Sequence, residues 1–330
     1  MSGIDSTSIA CEVTWVHKRV LALDIGGTKL AAGVVAEDGR VCSFLQRRSL
    51  AERGPDDMLD RLFALGHEAL AAAGSGGLHA VGIGCGGPLD TERGLVQGPP
   101  NLPGWDEIAV AERAEQAYGV PARLENDGVA AAIGEYRHGA GRGARSMVYL
   151  TVSTGVGGGA ILDGRLMRGR SGNGGEIGHM VVVHDGRPCP CGSRGCIEAY
   201  CSGTSIAARA RELLDDGADS ALARVATLTA ADVSRAAADG DPMAAALWDD
   251  TTEILGTGVA SLSNLFEADV LVLGGGVTRS DDQLLLPVRE RVDELAFEFA
   301  GERCRVVLSE LGEQVGVIGA AAAAFDTFGR

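Results

Sequence analysis

The chain has 330 residues, of which 45% are hydrophobic and 22% charged, so it is long enough for two globular lobes of ordinary composition. Its formal net charge of −16 argues against nucleic acid or an anionic membrane as a partner, because both require a basic protein surface. Eight cysteines in a chain of this length do not make a disulfide scaffold, and no apolar run approaches about 18 residues, so we expect a soluble, cytoplasmic protein.

The N-terminal region predicts a loose arm followed by a hairpin. Residues 1–19 have no apolar pattern and are expected to form a flexible arm. An apolar run at 20–23 ends in Asp24 and leads into a glycine-rich tip, after which residues 30–35 form a second apolar run. This order of strand, glycine tip and strand is typical of a β-hairpin.

The next segments alternate helix and strand, as in an α/β protein. Residues 57–73 repeat apolar side chains at helical spacing, and residues 120–124 form a strand-like run. An alanine-rich helix is predicted over 129–136, which places Asn126 and Asp127 at a helix N-terminus. The remaining predicted elements are a strand at 80–84 and a helix at 107–118.

The second half repeats the plan of the first. A strand at 147–152 enters a glycine-rich tip and is followed by another strand and a turn. This repeat predicts two α/β lobes of related topology that face a shared cleft. We place a small lobe at 20–130 plus 315–330 and a large lobe at 131–314. The other predicted elements are helices at 203–215, 229–238, 242–265, 281–300 and from 315, and strands at 270–273 and 306–308.

The glycine tips have two possible meanings. Residues 155–160 match the dinucleotide pattern G-x-G-x-x-A, but a strand follows them where that pattern needs a helix. A phosphate-binding P-loop is also absent from the sequence. One tip alone reads as an ordinary turn, whereas two tips together with Gly274-Gly275-Gly276 favour backbone N–H groups that cradle phosphate oxygens.

Two aspartates are candidates for chemistry. Asp24 ends a buried strand at the first tip, where it could hold Mg²⁺ or simply stabilise a turn. Asp127 follows a strand and begins a helix, so it is either an N-cap or a general base that removes a proton from a hydroxyl. A helix N-terminus favours the ionised carboxylate, which suits a base.

A cysteine-rich segment indicates a metal site. Cys189, Cys191 and Cys196 lie on a Pro/Gly-rich loop, with His179 and His184 upstream. Three thiolates and one imidazole would complete a tetrahedral, structural Zn²⁺ site without a reactive water. The alternative is a chance cluster of inert cysteines, and spacing alone leaves the choice of histidine open.

The order of these segments resembles the ROK family of repressors, open-reading-frame proteins and sugar kinases, and is most similar to its bacterial glucokinases. The resemblance covers residues 20–325. It implies the actin/hexokinase-like (ribonuclease H-like) fold, a duplicated two-lobe architecture with a central cleft. The matching segments are 24–29 (D-I-G-G-T-K), 84–88 (G-C-G-G-P), 101–105 (N-L-P-G-W), 125–127 (E-N-D), 154–159 (T-G-V-G-G-G), 176–179 (E-I-G-H), 189–198 and 274–276.

The resemblance also assigns roles. Asp127 would activate the 6-hydroxyl of a hexose toward the γ-phosphate of Mg-ATP, and His179 would be the zinc ligand as well as a sugar contact. A homodimer or higher homo-oligomer is implied too. The implied sugar-binding residues are Gly86, Gly87, Asn101, Asn126, Asp127, Glu176, His179 and Glu198. The implied nucleotide- and magnesium-binding residues are Asp24, Gly26, Gly27, Thr28, Lys29, Thr154, Gly155, Gly275 and Gly276.

The family contains kinases with different sugar substrates as well as repressors, and the sequence favours some of these functions over others. The first expectation is a glucokinase that forms glucose 6-phosphate and ADP, with N-acetylmannosamine or N-acetylglucosamine kinases as the alternative. Too few residues precede the first strand for the DNA-binding module of a repressor, and the intact Asp24 and Asp127 argue against an inactive sugar sensor. One departure is Val129, where the family commonly has Asn; its effect on packing or sugar choice stays open.

Overall fold

The computed structural model describes residues 18–99, 101–170, 172–301 and 304–329. The predicted N-terminal arm lies almost entirely outside these residues. In the described part of the chain, no helix combines the length and the hydropathy that a membrane crossing needs. The strands are β1 (Arg19–Ile25), β2 (Lys29–Ala36), β3 (Val41–Arg48), β4 (Leu78–Cys85), β5 (Leu89–Asp90), β6 (Leu95–Val96), β7 (Ile108–Ala109), β8 (Ala122–Asn126), β9 (Met147–Val152), β10 (Val156–Leu162), β11 (Arg165–Leu166), β12 (Val270–Gly274) and β13 (Arg305–Leu308).

Several helices begin at side-chain caps that the sequence supplies. The side chain of Asp241 accepts a hydrogen bond from the Ala244 N–H at 3.0 Å, and Pro242 occupies the first turn of the longest helix. Thr229 and Asp232 form a reciprocal capping box at the start of another. The α-helices are α1 (Pro55–Ala72), α2 (Val110–Tyr118), α3 (Asp127–His138), α4 (Glu198–Cys201), α5 (Gly203–Asp215), α6 (Ala230–Ala238), α7 (Pro242–Phe266), α8 (Asp282–Leu295), α9 (Glu298–Gly301) and α10 (Val315–Phe328).

Two five-stranded sheets share one topology. The first has the order β3-β2-β1-β4-β8, and the second has the order β11-β10-β9-β12-β13. In each, an antiparallel hairpin (β1–β2 or β9–β10) is extended by parallel strands on the other side. The internal repeat predicted from the two glycine tips is therefore real, and the duplicated actin/hexokinase-like fold is confirmed.

Alternating side chains on each sheet bury its two faces. On β9, Val148 and Leu150 join the core beneath α5 to α8, whereas Met147 and Tyr149 face the opposite way, toward α3. The first sheet packs one face on α1 and α2 and the other on α10. Helices α3 and α10 therefore lie on the sheet faces that meet at the centre of the molecule.

Helices α3 and α10 cross in close contact at two glycines, Gly134 and Gly319. A Cβ on Gly134 of α3 would lie 3.0 Å from the Cα of Gly319 on α10, and a Cβ on Gly319 would lie 2.1 Å from the carbonyl oxygen of Ala130. Real Cβ atoms do not tolerate the shorter contact, so the close crossing requires a glycine at 319.

Some element predictions need correction. The helix expected over 281–300 is interrupted, because Ala296 is extended and the Phe297 N–H donates to the side chain of Asn264 at 2.6 Å. The helix expected from 107 begins at Val110, since Glu107 has a left-handed backbone with φ of 52° and the next two residues form β7. That strand belongs to a small sheet, β5-β6-β7, which the sequence analysis did not predict.

Candidate functional site

The carboxyl ends of three parallel strands form one side of the site. In the register of β1, β4 and β8, Asp24 pairs with Gly84, and Gly84 pairs with Glu125. The residues just beyond these strands therefore lie along one sheet edge, where α/β proteins commonly bind ligands. A Cβ on Gly86 would lie 3.8 Å from Asp127 Oδ2, and one on Gly87 would lie 3.5 Å from Asn126 Nδ2.

Asn126, and not Asp127, is the N-cap of α3. Its Oδ1 accepts hydrogen bonds from the N–H groups of Gly128 at 3.0 Å and Val129 at 3.1 Å. Asp127 occupies the first helical position, and its Oδ1 accepts from Gly128 N–H at 2.8 Å. The N-cap interpretation of Asp127 is therefore wrong, and its exposed carboxylate is available for chemistry.

Val129 has a packing role. Its side chain is buried in a cluster with Ile133 of α3 and with Ala322 and Ala323 of α10. The departure from the family pattern thus adds an apolar contact between the two central helices.

The carboxyl groups of both aspartates have raised pKa values. Burial raises the pKa of the Asp24 carboxyl to about 7, the nearby charge of Asp127 adds to that rise, and Lys29 opposes it. The Asp127 side chain is accessible to solvent, but the protein atoms around it reduce its hydration and raise its pKa, while the hydrogen bond from the Gly128 N–H lowers it. A base with a raised pKa holds a transferred proton more firmly near neutral pH.

Asp24 fits a cation. Among the described residues, no N–H or O–H group donates a hydrogen bond to its carboxylate. Gly316, near the start of α10, must lack a side chain here, because a Cβ would lie 2.6 Å from Asp24 Oδ2. A carboxylate whose oxygens accept no hydrogen bond, next to a glycine, can offer those oxygens to Mg²⁺, which prefers oxygen ligands.

The first glycine tip is fastened to its surroundings. Gly26 N–H donates to Lys29 O at 3.0 Å, and Ser49 Oγ donates to Gly27 O at 2.5 Å. Thr28 and Lys29 at the tip are exposed. A Cβ on Gly27 would lie 3.0 Å from the carbonyl oxygen of Asn101, so Asn101, an expected sugar-binding residue, lies next to this tip. Its side chain is exposed.

The second tip is held in the same manner. The N–H of Gly203 donates to Ser153 O at 2.6 Å, and Thr204 Oγ1 donates to Thr154 O at 2.8 Å. Gly275 has φ of 95°, and a Cβ there would lie 2.4 Å from Val152 O at the end of β9. Thr154, Gly155, Gly275 and Gly276 therefore lie along the matching edge of the second sheet.

The four expected metal ligands come together. One ligand atom from each of His179, Cys189, Cys191 and Cys196 lies within 4.8 Å of the others. His179 Nδ1 is 3.6 Å from Cys189 Sγ, and Cys191 Sγ is 3.8 Å from Cys196 Sγ. This set of one imidazole and three thiols fits tetrahedral Zn²⁺.

The other candidate histidine is outside the cluster. His184 has a side chain that is 96% exposed and lies 3.6 Å from Asp185. The geometry thus selects His179, a choice that spacing alone left open.

Glu198 connects the cysteine segment to the second glycine tip. It begins α4, and its Oε2 accepts a hydrogen bond from the Val156 N–H at 2.8 Å. A Cβ on Gly155 would lie 2.7 Å from the same oxygen. The sequence predicted Glu198 only as a sugar contact, and no periodic pattern signals this second connection.

Glu176 and His179 flank a short 3₁₀ turn, Ile177–His179. A Cβ on the intervening Gly178 would lie 1.9 Å from Val156 O, so the turn packs directly on β10. The start of α3 also touches β10, since a Cβ on Gly128 would lie 2.7 Å from Gly158 N. The turn and α3 lie on opposite faces of β10, because Ile177 packs with Val148 and Leu150 whereas α3 packs on the Tyr149 face. The exposed Glu176, the half-buried His179 and the start of α3 therefore all lie beside one strand.

Comparisons with known proteins agree with this arrangement. Residues 20–327 match the ROK family. The glucokinase of Thermotoga maritima is 35% identical over 308 residues, which are 92% of this chain and 96% of that protein. The N-acetylmannosamine kinase of Citrobacter koseri is 35% identical over 264 residues, which are 80% of this chain and 85% of that protein.

A solved structure has the same fold. The ROK family glucokinase from Streptomyces griseus, in complex with glucose and AMPPNP, is 35% identical to this chain and aligns with a TM-score of 0.79. The alignment covers 92% of this chain and 98% of that one.

Proposed function

This chain belongs to the ROK family, and from that premise we propose that it is an ATP-dependent hexose kinase that converts glucose and ATP to glucose 6-phosphate and ADP. Glucokinases are among its relatives over nearly the full chain, and the glucokinase of similar structure binds glucose and an ATP analogue.

Asp127 acts as the general base. Its carboxylate takes the proton of the glucose 6-hydroxyl as that oxygen forms a bond to the γ-phosphorus. The bond between the γ-phosphorus and the β,γ-bridging oxygen breaks, and ADP leaves with that electron pair. The N–H of Gly128 and the cap made by Asn126 hold Asp127 in place during the transfer.

The two glycine tips hold the phosphates. Thr28 and Lys29 approach from the first sheet, Thr154 and Gly155 approach from the second, and Gly275 and Gly276 border the adenosine. Asp24 would hold Mg²⁺, whose charge offsets that of the phosphate oxygens. This role suits a carboxylate that accepts no hydrogen bond within the described residues.

The sugar lies between the two sheets. Glu176, His179 and Glu198 hydrogen-bond its hydroxyls from one side. From the other side come Asn101, Asn126 and the backbone at Gly86 and Gly87. Carboxylates and amides suit this task, because hydroxyl groups both donate and accept.

The cysteine cluster would hold Zn²⁺ through His179, Cys189, Cys191 and Cys196, and four protein ligands would give the ion a structural role. The Nδ1 atom of His179 faces the thiols, which leaves the other ring nitrogen for the sugar. Glu198 follows the last cysteine closely, so the metal fixes both a sugar contact and, through the Val156 N–H, the second tip.

One observation carries this proposal. Asp127 presents an exposed carboxylate at the end of β8, next to Gly86, while the chain's own N-cap is made by Asn126. A carboxylate freed from capping, beside a second carboxylate suited to Mg²⁺, is the arrangement that in-line phosphoryl transfer to a hydroxyl requires.

The test is a coupled assay of ADP release with glucose, mannose, fructose, N-acetylglucosamine and N-acetylmannosamine as acceptors. We expect the highest kcat/KM for glucose. If no sugar supports ADP release above the rate of ATP hydrolysis without sugar, the kinase proposal is wrong.

The second candidate is an N-acetylmannosamine or N-acetylglucosamine kinase. The similarity to N-acetylmannosamine kinases favours it. Turnover restricted to the acetamido sugars would establish this alternative.

We also propose the lobe boundaries given above, a homo-oligomeric assembly and a cytoplasmic location. The packing of α10 on the first sheet supports assigning residues 315–330 to the small lobe. The cysteines in the described part of the chain are all unpaired, which suits a reducing compartment. Light scattering on the purified protein tests the assembly.

A further inference from the structure

An ion pair that no proposed role uses joins the two halves of the site. Glu125 on β8 is fully buried and directly precedes Asn126 and Asp127. Its Oε2 accepts a hydrogen bond from Arg168 Nη1 at 2.7 Å, whereas Arg123 Nη2 lies 3.7 Å away. Its Oε1 accepts a hydrogen bond from the Asn126 N–H at 3.2 Å. Arg168 thus makes the closest charged contact with this buried carboxylate.

The two partners belong to different sheets. Strand β8 is an edge strand of the first sheet, while Arg168 follows β11, an edge strand of the second. Arg168 also begins the loop 168–176, which ends at Glu176. The pair therefore ties the strand that carries the proposed base to the loop that carries a proposed sugar contact.

Arg168 is in direct contact with Gly174, two residues before Glu176. Gly174 N–H donates to Arg168 O at 2.8 Å, and a Cβ on Gly174 would lie 2.7 Å from the N of Gly169. Gly172 lies against Thr91 of the small sheet, since a Cβ there would be 3.3 Å from Thr91 Oγ1. A shift of Arg168 would therefore act directly on Gly174.

We propose that Arg168 is a positioning residue for the sugar: held by Glu125 on one side and in contact with Gly174 on the other, it fixes Glu176 relative to Asp127, and so sets how the sugar hydroxyl meets the base. This inference rests on the proposed kinase function. The physical reason is that a buried carboxylate needs a cation, so the position of the Arg168 guanidinium is set by Glu125. Because Arg168 is hydrogen-bonded to Gly174, a fixed guanidinium also restricts the position of Glu176, two residues further on.

The test compares the variants Arg168→Gln, Arg168→Lys, Glu125→Gln and the double variant Arg168→Gln/Glu125→Gln with the wild type. Steady-state kinetics are measured with glucose and ATP varied separately, and thermal unfolding is followed for each protein. The matched control is Arg145→Gln, which removes an exposed pair with Asp163 at 2.6 Å.

We expect Arg168→Gln to raise the KM for glucose about ten- to hundredfold while the KM for ATP changes less than about twofold. Arg168→Lys should recover part of the loss, because it restores a cation without the planar fork. The double variant should be no worse than Arg168→Gln alone, since both substitutions remove one interaction. Arg145→Gln should leave both KM values unchanged.

Two results would overturn the proposal. One is an unchanged KM for glucose in Arg168→Gln, and the other is an equal rise of both KM values that follows a loss of thermal stability, as a purely structural pair would give. Both results presuppose wild-type turnover of sugar. If the wild type phosphorylates no sugar, the proposed function itself fails, and this role fails with it.

Discussion

The substitution Asp127→Asn isolates the proposed base. Asparagine has the same shape, and its Oδ1 can still accept the hydrogen bond from Gly128 N–H. The helix cap is unaffected, because Asn126 makes it. The change therefore removes the proton acceptor and little else, so the fold and the sugar-binding surface should persist.

The size of the loss follows from the role. A positioned general base contributes roughly 10²–10⁴-fold to a rate. At 1.36 kcal/mol for each factor of ten, this corresponds to about 2.7–5.4 kcal/mol of transition-state stabilisation. We expect kcat to fall by that factor, while the dissociation constant for glucose stays within a few-fold of the wild-type value.

Two measurements check this prediction. Coupled ADP release gives kcat, and isothermal titration calorimetry gives the affinity for glucose. Asp60→Asn makes the same chemical change at an exposed position on α1 and serves as the control. If Asp127→Asn keeps more than about a tenth of the wild-type kcat, Asp127 is not the base.

Three further predictions concern the metals and the fold. Cys191→Ser should lose bound zinc and bind glucose more weakly, because His179 and Glu198 lose their support; an elemental measurement of one zinc per chain in this variant would contradict the structural role. Burial raises the pKa of Asp24 to about 7 and the ionised form would bind Mg²⁺, so the affinity for Mg-ATP should fall about tenfold from pH 8 to pH 6, and Asp24→Asn should remove this dependence; equal calorimetric affinities at pH 6 and pH 8 in the wild type would refute it. Glu135→Ala should lower the free energy of unfolding by about 3–5 kcal/mol in urea titrations, because the buried carboxylate accepts from the N–H groups of Ala140 and Leu311 and from Ser309 Oγ; a loss below about 1 kcal/mol would show that water replaces these contacts.

The sequence was sufficient for the elements whose signal is local. Both glycine hairpins follow from an apolar run, a glycine-rich tip and a second apolar run, and α5 begins and ends where the pattern predicts. Their repetition was enough to predict the duplicated fold. The three clustered cysteines were also predictable, because metal binding restricts both residue type and spacing, whereas the choice of His179 came from the family resemblance and agrees with the geometry.

The features that were missed depend on contacts between distant residues. The break after α8 comes from Asn264, on a different helix, which accepts the Phe297 N–H. The small sheet β5-β6-β7 has two-residue strands, too short for any period to register. The contact of Arg168 with Glu125 joins positions in different sheets, and only the fold makes it visible.

Asp127 and Gly316 lie at different distances from the point where α3 and α10 cross. Asp127 lies seven positions before Gly134, or about 10 Å along α3 at 1.5 Å per residue. Gly316, beside Asp24, lies three positions before Gly319, or about 4.5 Å along α10. A relative rotation of about 5° at the crossing would thus move Asp127 by about 1 Å and Gly316 by less than half of that. A methyl group at Gly319 would push α3 and α10 apart where they cross. Residue 319 can therefore alter the distance between the Asp24 and Asp127 carboxylates without contacting either.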